Sequence, residues 1–139
     1  MTQIVLDTSV FIDHLRGFEP ATTYLIGLEE GSLRGIVSSV THTELFAGER
    51  MRSGEREQIE MLLSLLETVD VTSNIAREAG MLLSRFRRSH GLTPLDAIIA
   101  ATALTLDVPL GTRNVKDFSF VPGLRATCPY GGQSADDAV

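Results

Sequence analysis

Short apolar segments alternate along this chain with longer segments of helical periodicity, and this alternation restricts the fold more than any other sequence feature. The predicted strands are Gln3–Leu6, Ile36–Val37, Val69–Val71, Val108–Gly111 and Arg125–Cys128. The predicted helices are Thr8–Arg16, Pro20–Glu30, Val40–Arg50, Ser53–Thr68, Ser73–His90 and Pro94–Leu106, with a turn or one helical turn at Thr112–Phe118. Strands that alternate with helices pair in parallel through right-handed crossovers. The sequence therefore predicts an α/β fold, a three-layer α/β/α sandwich around a short, mostly parallel sheet.

The chain shows no internal repeat, linker or low-complexity block, which indicates a single domain. Its 139 residues, 43% of them hydrophobic, are enough to bury a core. We assign residues 1–130 to this domain. From its composition, the segment 131–139 is expected to form a frayed C-terminal tail.

Composition excludes several classes of protein. No apolar segment is long enough to cross a bilayer, and the N-terminus lacks the basic and apolar regions of a signal peptide, so we expect a cytoplasmic protein without a membrane partner. The single cysteine, Cys128, excludes an intramolecular disulfide and a cysteine-based zinc site. The net charge of −6 argues against broad, non-specific nucleic-acid binding. Because a cluster of catalytic acids contributes to that charge, an enzyme that acts on nucleic acid is still compatible with it.

Four carboxylates stand where strand ends or helix starts direct side chains toward one crevice: Asp7, Glu44, Asp96 and Asp117. In open α/β sheets, ligands bind beyond the carboxyl ends of the strands. Each acid also has an ordinary structural alternative. Asp7 suits a helix N-cap, and Asp96 stands three residues after Thr93 in a pattern close to a capping box. Glu44 could be a solvated helix acid, and Asp117 could initiate a turn.

Two of these acids stand in apolar surroundings. Asp96 lies near the start of the otherwise apolar run Leu95–Ala101, and Glu44 precedes Leu45–Ala47. A carboxylate in such surroundings needs hydrogen bonds, a cation or a proton, because burial of an unpaired charge is unfavourable. Neither Asp7 nor Asp96 has a lysine or arginine next to it in the sequence. Hard divalent cations such as Mg²⁺ and Mn²⁺ prefer oxygen ligands, so the pattern predicts a site for one of them.

Four segments carry a family resemblance: VLDTSVFIDHLRG, SSVTHTELFAG, TPLDAIIAATAL and TRNVKDFSFVPGL. In this order and at these separations they resemble the PIN-domain nucleases, and most closely the VapC-type toxins of bacterial toxin–antitoxin modules. The resemblance extends from Ile4 to about Leu124. It implies a PIN-like fold and an endoribonuclease that cuts tRNA or ribosomal RNA. It also implies a homodimer that a small antitoxin protein keeps inactive.

The resemblance also assigns roles to individual residues. It implies an acidic site for Mg²⁺, which Mn²⁺ is able to replace, with Asp7 and Asp96 as the metal ligands. Glu44 and Asp117 would orient water or bind a second ion. The fourth metal-site residue is either Asp117 or Asn114, since some relatives carry their fourth acid at the position of Asn114. The supporting polar residues are Thr8, Thr112 and Asn114.

An acidic site must be accompanied by basic residues if it is to bind RNA. The predicted RNA-binding residues are Arg85, Arg87, Arg88, Arg113 and Lys116. The alternative for the run at residues 85–90 is a helix C-terminal turn, where cations interact favourably with the helix dipole.

Two rival functions stay open at this point. The first is a phosphatase with Asp7 as nucleophile, although many such enzymes need a second acid two residues on, where this chain has Ser9. The second is a PIN-like module that binds RNA or a partner without cutting. The histidines lack the spacing of a zinc site, and the sequence contains neither a serine-hydrolase elbow nor a P-loop.

Overall fold

The computed structural model describes residues 2–31, 33–48 and 53–131. The end of one predicted helix, at residues 49–50, and nearly all of the predicted tail, at residues 132–139, lie outside the described residues. The strands are β1 Thr2–Leu6, β2 Leu33–Ser38, β3 Glu67–Val69, β4 Leu110–Gly111 and β5 Ala126–Thr127. The helices are α1 Thr8–Leu15, α2 Glu19–Glu29, α3 Ser39–Phe46, α4 Glu55–Ser64, α5 Ser73–His90 and α6 Pro94–Leu106, and a short 3₁₀ turn occupies Val115–Asp117.

The five strands form one sheet in the order β3-β2-β1-β4-β5, and every neighbouring pair is parallel. Strand β1 lies at the centre, with Val5 opposite both Ile36 of β2 and Leu110 of β4. The chain runs outward from β1 to β3 on one side and then crosses to β4 on the other. The predicted α/β fold with a parallel sheet is therefore confirmed, and the strand order reverses between β1 and β4.

Helices cover both faces of the sheet. On β1, Ile4 and Leu6 pack into one cluster and Val5 into another, as the alternation of side chains along a strand requires. The first cluster includes residues of α1, α2 and α4, namely Val10, Phe11, Leu25, Ile59, Leu62 and Leu63. The second cluster joins Val5 to Ile99, Ala100 and Ala103 of α6. The sheet and the helices on its two faces form the three predicted layers.

Local capping residues set the limits of the two longest helices, which begin and end as predicted. The hydroxyl of Thr72 accepts the backbone N–H of Ile75 at the start of α5, and Gly91 ends that helix with a φ of 68°. The hydroxyl of Thr93 caps α6 in the same way. Within the described ranges, no helix combines the length and the apolar character needed to cross a membrane.

The helix predicted over residues 53–68 is shorter at both ends in the structure. Gly54, with a φ of 85°, precedes α4, and no side chain caps its first turn. At the other end, Glu67 pairs with Ile36 of β2, so strand β3 begins two residues earlier than predicted. Backbone pairing at the sheet edge therefore overrides the helical spacing of the leucines in this segment.

Gly111, the last residue of β4, is required by close packing. A Cβ atom there would lie 2.9 Å from Cδ2 of Leu6 and 2.9 Å from Cγ of Pro129, whose ring cannot rotate away. We predict that Gly111→Ala lowers the free energy of unfolding by about 1–3 kcal/mol, measured by urea denaturation.

Gly80, which lies on the exposed side of α5 with open space around it, provides the control. Because alanine favours a helix more than glycine does, Gly80→Ala should raise the free energy of unfolding by up to about 1 kcal/mol. Equal effects of the two substitutions would contradict the packing argument.

Candidate active site

Asp7 and Thr112 lie at the point where the strand order reverses. Asp7 follows β1, Thr112 follows β4, and the two strands pair in parallel up to Leu6 and Gly111. The backbone N–H of Asp7 donates to the carbonyl oxygen of Gly111 at 2.8 Å, which extends the pairing beyond the strand ends. In open α/β sheets a ligand crevice forms at this position. Asp7 is therefore situated where such a fold binds its ligands.

The carboxylate of Asp7 is buried and is held by two hydroxyl groups. Its Oδ2 accepts hydrogen bonds from Ser9 Oγ at 2.7 Å and from Thr112 Oγ1 at 2.8 Å. Each hydroxyl oxygen in turn accepts a backbone N–H, from Arg113 for Ser9 and from Asn114 for Thr112. These two bonds leave the hydroxyl protons directed at Asp7. Burial raises the pKa of Asp7, and the hydrogen bonds from Ser9 and Thr112 partly offset the rise.

The structure corrects the simple capping interpretation of Asp7. This residue occupies the N-cap position of α1, but its side chain makes no capping hydrogen bond to that helix. At Asp96, by contrast, the hydroxyl of Thr93 accepts the backbone N–H at 3.2 Å, as the capping pattern predicts. The side-chain hydrogen bonds to the Asp7 carboxylate thus come from the hydroxyl of Ser9, in the first turn of α1, and from that of Thr112, after β4.

Glu44, on α3, joins the site through Thr8. The hydroxyl of Thr8 donates to Oε1 of Glu44 at 2.6 Å and lies 3.0 Å from the hydroxyl of the buried Thr41. Partial burial raises the pKa of Glu44, the hydrogen bond from Thr8 lowers it, and the nearby charge of Asp7 raises it further. The predicted supporting residue Thr8 therefore connects α1 to the second acid.

Asp96, in the first turn of α6, is half-buried and shows the strongest electrostatic effect in the site. Burial raises its pKa to about 7, and the charges of Asp7, Asp117 and Glu44 contribute to the rise. All the charges that act on it are negative. Asp117 lies exposed in the 3₁₀ turn after β4, and Asn114 precedes that turn. The structure thus brings the four predicted acids within electrostatic range of one another.

The donor set suits a hard cation that retains its own water. Among the residues that the structure describes, no three acidic, histidine or cysteine side chains lie close enough together to hold a metal ion by themselves. Mg²⁺ gives up its hydration shell reluctantly and commonly binds through one or two carboxylates with several waters. Asp7 and Asp96 offer two carboxylates whose pKa values are raised, so their charged forms are destabilised until a cation is present. The residues present therefore fit Mg²⁺ better than a metal that needs a closed protein cage.

The predicted RNA-binding residues differ in exposure. Arg85, Arg87 and Arg88 are exposed near the end of α5, which three residues separate from the start of α6. Lys116 is exposed in the 3₁₀ turn. Arg113 instead has only 15% of its side chain exposed, with Nη1 3.4 Å from Oδ1 of Asp13. The exposed arginines also stand in the last turns of a helix, so the helix-dipole alternative still applies to them. Contact of these five residues with RNA stays a prediction.

Sequence reasoning missed several polar residues that support the site. Asp13 is completely buried and contacts both Arg113 and Tyr130. In the sequence, Ser9 is notable only because it stands where many aspartate-nucleophile phosphatases have a second acid, whereas in the structure its hydroxyl donates a hydrogen bond to Asp7. Asp13 follows Ser9 by four residues, so both lie on the same face of the predicted helix. That spacing was the one sequence pattern that could have indicated a polar side of this helix.

Comparisons with known proteins match most of this chain and its fold. The PIN-domain family model matches residues 4–122, a range that contains all four acids. The chain is 37% identical over 127 residues to ribonuclease VapC19 of Mycobacterium tuberculosis, covering 91% of this chain and 98% of the relative. It is 28% identical over 129 residues to the tRNA(fMet)-specific endonuclease VapC of Shigella flexneri, with 90% and 96% coverage. It also superposes on a toxin–antitoxin complex from Klebsiella pneumoniae with a TM-score of 0.72 and 30% identity, covering 92% of this chain and 98% of the other.

The raised pKa of Asp96 predicts how stability depends on pH without metal. The folded-state pKa is about 7 against an ordinary value of 3.8, so between these pH values the folded chain holds a proton that the unfolded chain has lost. Stability should therefore fall as pH rises through this window. We expect Asp96→Asn, in EDTA, to melt at a higher temperature than wild type at pH 8, and the difference to disappear toward pH 4.

The control for this measurement is Asp70→Asn, which alters an exposed acid between β3 and α5. It should leave the pH dependence of the melting temperature unchanged. If Asp96→Asn melts below wild type at pH 8, the carboxylate is needed for structure and the repulsion argument fails.

Proposed function

Because the chain belongs to the PIN-domain family and, within it, to the VapC-type ribonucleases of bacterial toxin–antitoxin systems, we propose that the crevice beside Asp7 cuts a structured RNA. The reaction is endonucleolytic hydrolysis of a phosphodiester bond and requires Mg²⁺. The substrate class is tRNA or ribosomal RNA. Similarity to the tRNA(fMet)-specific endonuclease of Shigella flexneri supports tRNA as the first substrate to test.

The observation that carries this proposal is the half-buried carboxyl group of Asp96, which lies within electrostatic range of three other acids. Asp96 is half-buried in a crevice, and the charges of Asp7, Asp117 and Glu44 help to raise its pKa to about 7. Strongly perturbed carboxyl groups in a cleft are characteristic of functional sites, because they oppose folding unless a ligand compensates for them. A divalent cation is the simplest ligand to do so, and Mn²⁺ should replace Mg²⁺.

In this proposal two of the acids would hold the metal ion and a third would act as a base. Asp7 and Asp96 hold the cation, which when bound neutralises charge on the phosphate and makes a water molecule more acidic. The hydroxyls of Ser9 and Thr112 fix the position of the Asp7 carboxylate. Glu44, whose pKa is raised, accepts a proton from the attacking water and keeps it oriented.

The proposal includes a protein partner. The relative from Klebsiella pneumoniae is a toxin–antitoxin complex, which supports binding of a cognate antitoxin by this chain. An apolar groove of about 400 Å³ between α1, α2 and α4 suits a helix or tail of such a partner. Its exposed apolar side chains are Ile26, Met61 and Leu65. The proposal further includes a homodimer and a cytoplasmic location, where the proposed RNA substrates occur.

Removal of either proposed metal ligand tests the reaction. Asp7→Asn and Asp96→Asn should each lower the rate of tRNA cleavage by more than about 100-fold, since loss even of an outer-shell partner of a metal ligand costs about 10- to 100-fold. EDTA should abolish cleavage by the wild type, and Mg²⁺ or Mn²⁺ should restore it. Growth arrest on induced expression should be lost in parallel.

Asp70→Asn, which alters an exposed acid, should retain full activity. Full activity of Asp7→Asn or Asp96→Asn would contradict the assignment of that residue as a metal ligand. Purified antitoxin-free wild type that binds tRNA without cutting it in Mg²⁺ would instead identify a non-cleaving binding module.

The fourth acid can be assigned by a matched pair of substitutions. Asp117 acts on the pKa of Asp96, whereas the backbone of Asn114 is engaged with Thr112. We expect Asp117→Asn to raise the Mg²⁺ concentration needed for half-maximal cleavage by about 10-fold or more. Asn114→Ala should have the smaller effect, and the reverse order in a Mg²⁺ titration would assign the position to Asn114.

A further inference from the structure

A buried ion pair joins the helix after Asp7 to the segment after β4. Asp13, on α1, is completely buried, and its Oδ1 lies 3.4 Å from Nη1 of Arg113. Its Oδ2 accepts a hydrogen bond from the hydroxyl of Tyr130 at 2.7 Å. The ring of Tyr130 also packs edge-on against Phe18, which follows α1. Three segments that are far apart in the sequence therefore meet at one carboxylate.

This ion pair links the two segments that hold Asp7. Ser9 lies one helical turn before Asp13 on α1, and Thr112 directly precedes Arg113. Arg113 contacts both sides at once, since its guanidinium faces Asp13 while its backbone N–H donates to Ser9 Oγ at 3.1 Å. Any displacement of Arg113 would therefore move the hydroxyl donors of Asp7.

The chemistry of the pair is unfavourable for a purely structural role. Both partners are withdrawn from water, with side-chain exposures of 0% for Asp13 and 15% for Arg113. Oδ1 of Asp13 makes no hydrogen bond among the described residues, so the guanidinium charge is the group that compensates for it on that side. Apolar side chains of similar volume usually fill such a space at lower cost. A charged pair that joins two supports of a functional carboxylate is better explained by the position that it imposes.

We propose that Asp13 and Arg113 are positioning residues that hold the hydroxyls of Ser9 and Thr112 on Asp7, and that the Arg113 side chain does not contact RNA. The proposal rests on the proposed function, because it assigns the pair a role toward a metal ligand. It predicts that loss of the pair weakens metal binding and turnover and leaves RNA binding unchanged.

A double-mutant cycle tests this coupling. Asp13→Asn and Arg113→Gln should each raise the Kd for Mn²⁺ by about 10- to 100-fold, obtained from the increase in Tm over a series of Mn²⁺ concentrations. Each should lower kcat for tRNA cleavage and leave KM nearly unchanged. The double variant should lose no more Mn²⁺ affinity and turnover than the more impaired of the two single variants, because both substitutions break the same contact. Arg113→Lys, which keeps the charge, should recover part of the loss.

An exposed ion pair provides the matched control. Arg125 lies 3.6 Å from Asp107, with side-chain exposures of 60% and 99%, so Arg125→Gln should change neither Mn²⁺ binding nor turnover. Variants that melt early are compared at 10 °C, with free Mn²⁺ counted by electron paramagnetic resonance, so that folded protein is measured.

The alternative role of Arg113 gives opposite results. If its guanidinium contacts a phosphate, Arg113→Gln should raise KM, lower the salt dependence of RNA binding by about one unit of slope, and leave Mn²⁺ affinity unchanged. That result, or unchanged Mn²⁺ affinity in both single variants, overturns the proposal. Wild type that binds Mn²⁺ without cutting RNA would instead overturn the ribonuclease proposal and leave the Mn²⁺ measurements decisive for the ion pair.

Discussion

The parallel pairing of β1 with β4 is the contact on which the candidate site depends. Because β1 also pairs with β2 on its other side, the strand order reverses at β1 and opens a crevice at its carboxyl end. The hydrogen bond from Asp7 to the carbonyl of Gly111 continues the pairing past the strands and brings Thr112 to Asp7. Asp96 and Glu44 then approach from helices that begin at the same edge of the sheet.

The polar groups of the crevice oppose folding and are only partly compensated within the chain. The hydroxyls of Ser9 and Thr112 stabilise the Asp7 carboxylate and the hydroxyl of Thr8 stabilises that of Glu44, but burial still raises the pKa of both acids, and the charge of Asp7 raises that of Glu44 further. Burial of apolar side chains by the helices on both faces of the sheet, including α6, offsets the unfavourable free energy of burying these acids.

The parts of this fold that depend on neighbouring residues could be predicted from the sequence. The limits of α5 and α6 follow from Thr72, Gly91 and Thr93, whose capping contacts are local. The proximity of the four acids could be predicted, because Asp7 follows β1, Asp96 lies in the first turn of α6, and Glu44 and Asp117 lie in the segments that follow β2 and β4. The strand β3 was predicted, but its first residue could not be, since pairing with β2 determines where it begins. The ion pair between Asp13 and Arg113 could not be predicted either, because sequence periodicity gives no information on contacts between distant segments.

The hydrogen bond from Thr112 to Asp7 joins residues that are 105 positions apart. Contacts of this kind give a domain a high contact order, and they form only after the intervening chain has been enclosed. A growing polypeptide that still lacks β4 has neither the neighbour of β1 nor the second donor to Asp7. The crevice therefore cannot be completed on a chain that has been synthesised only as far as α6.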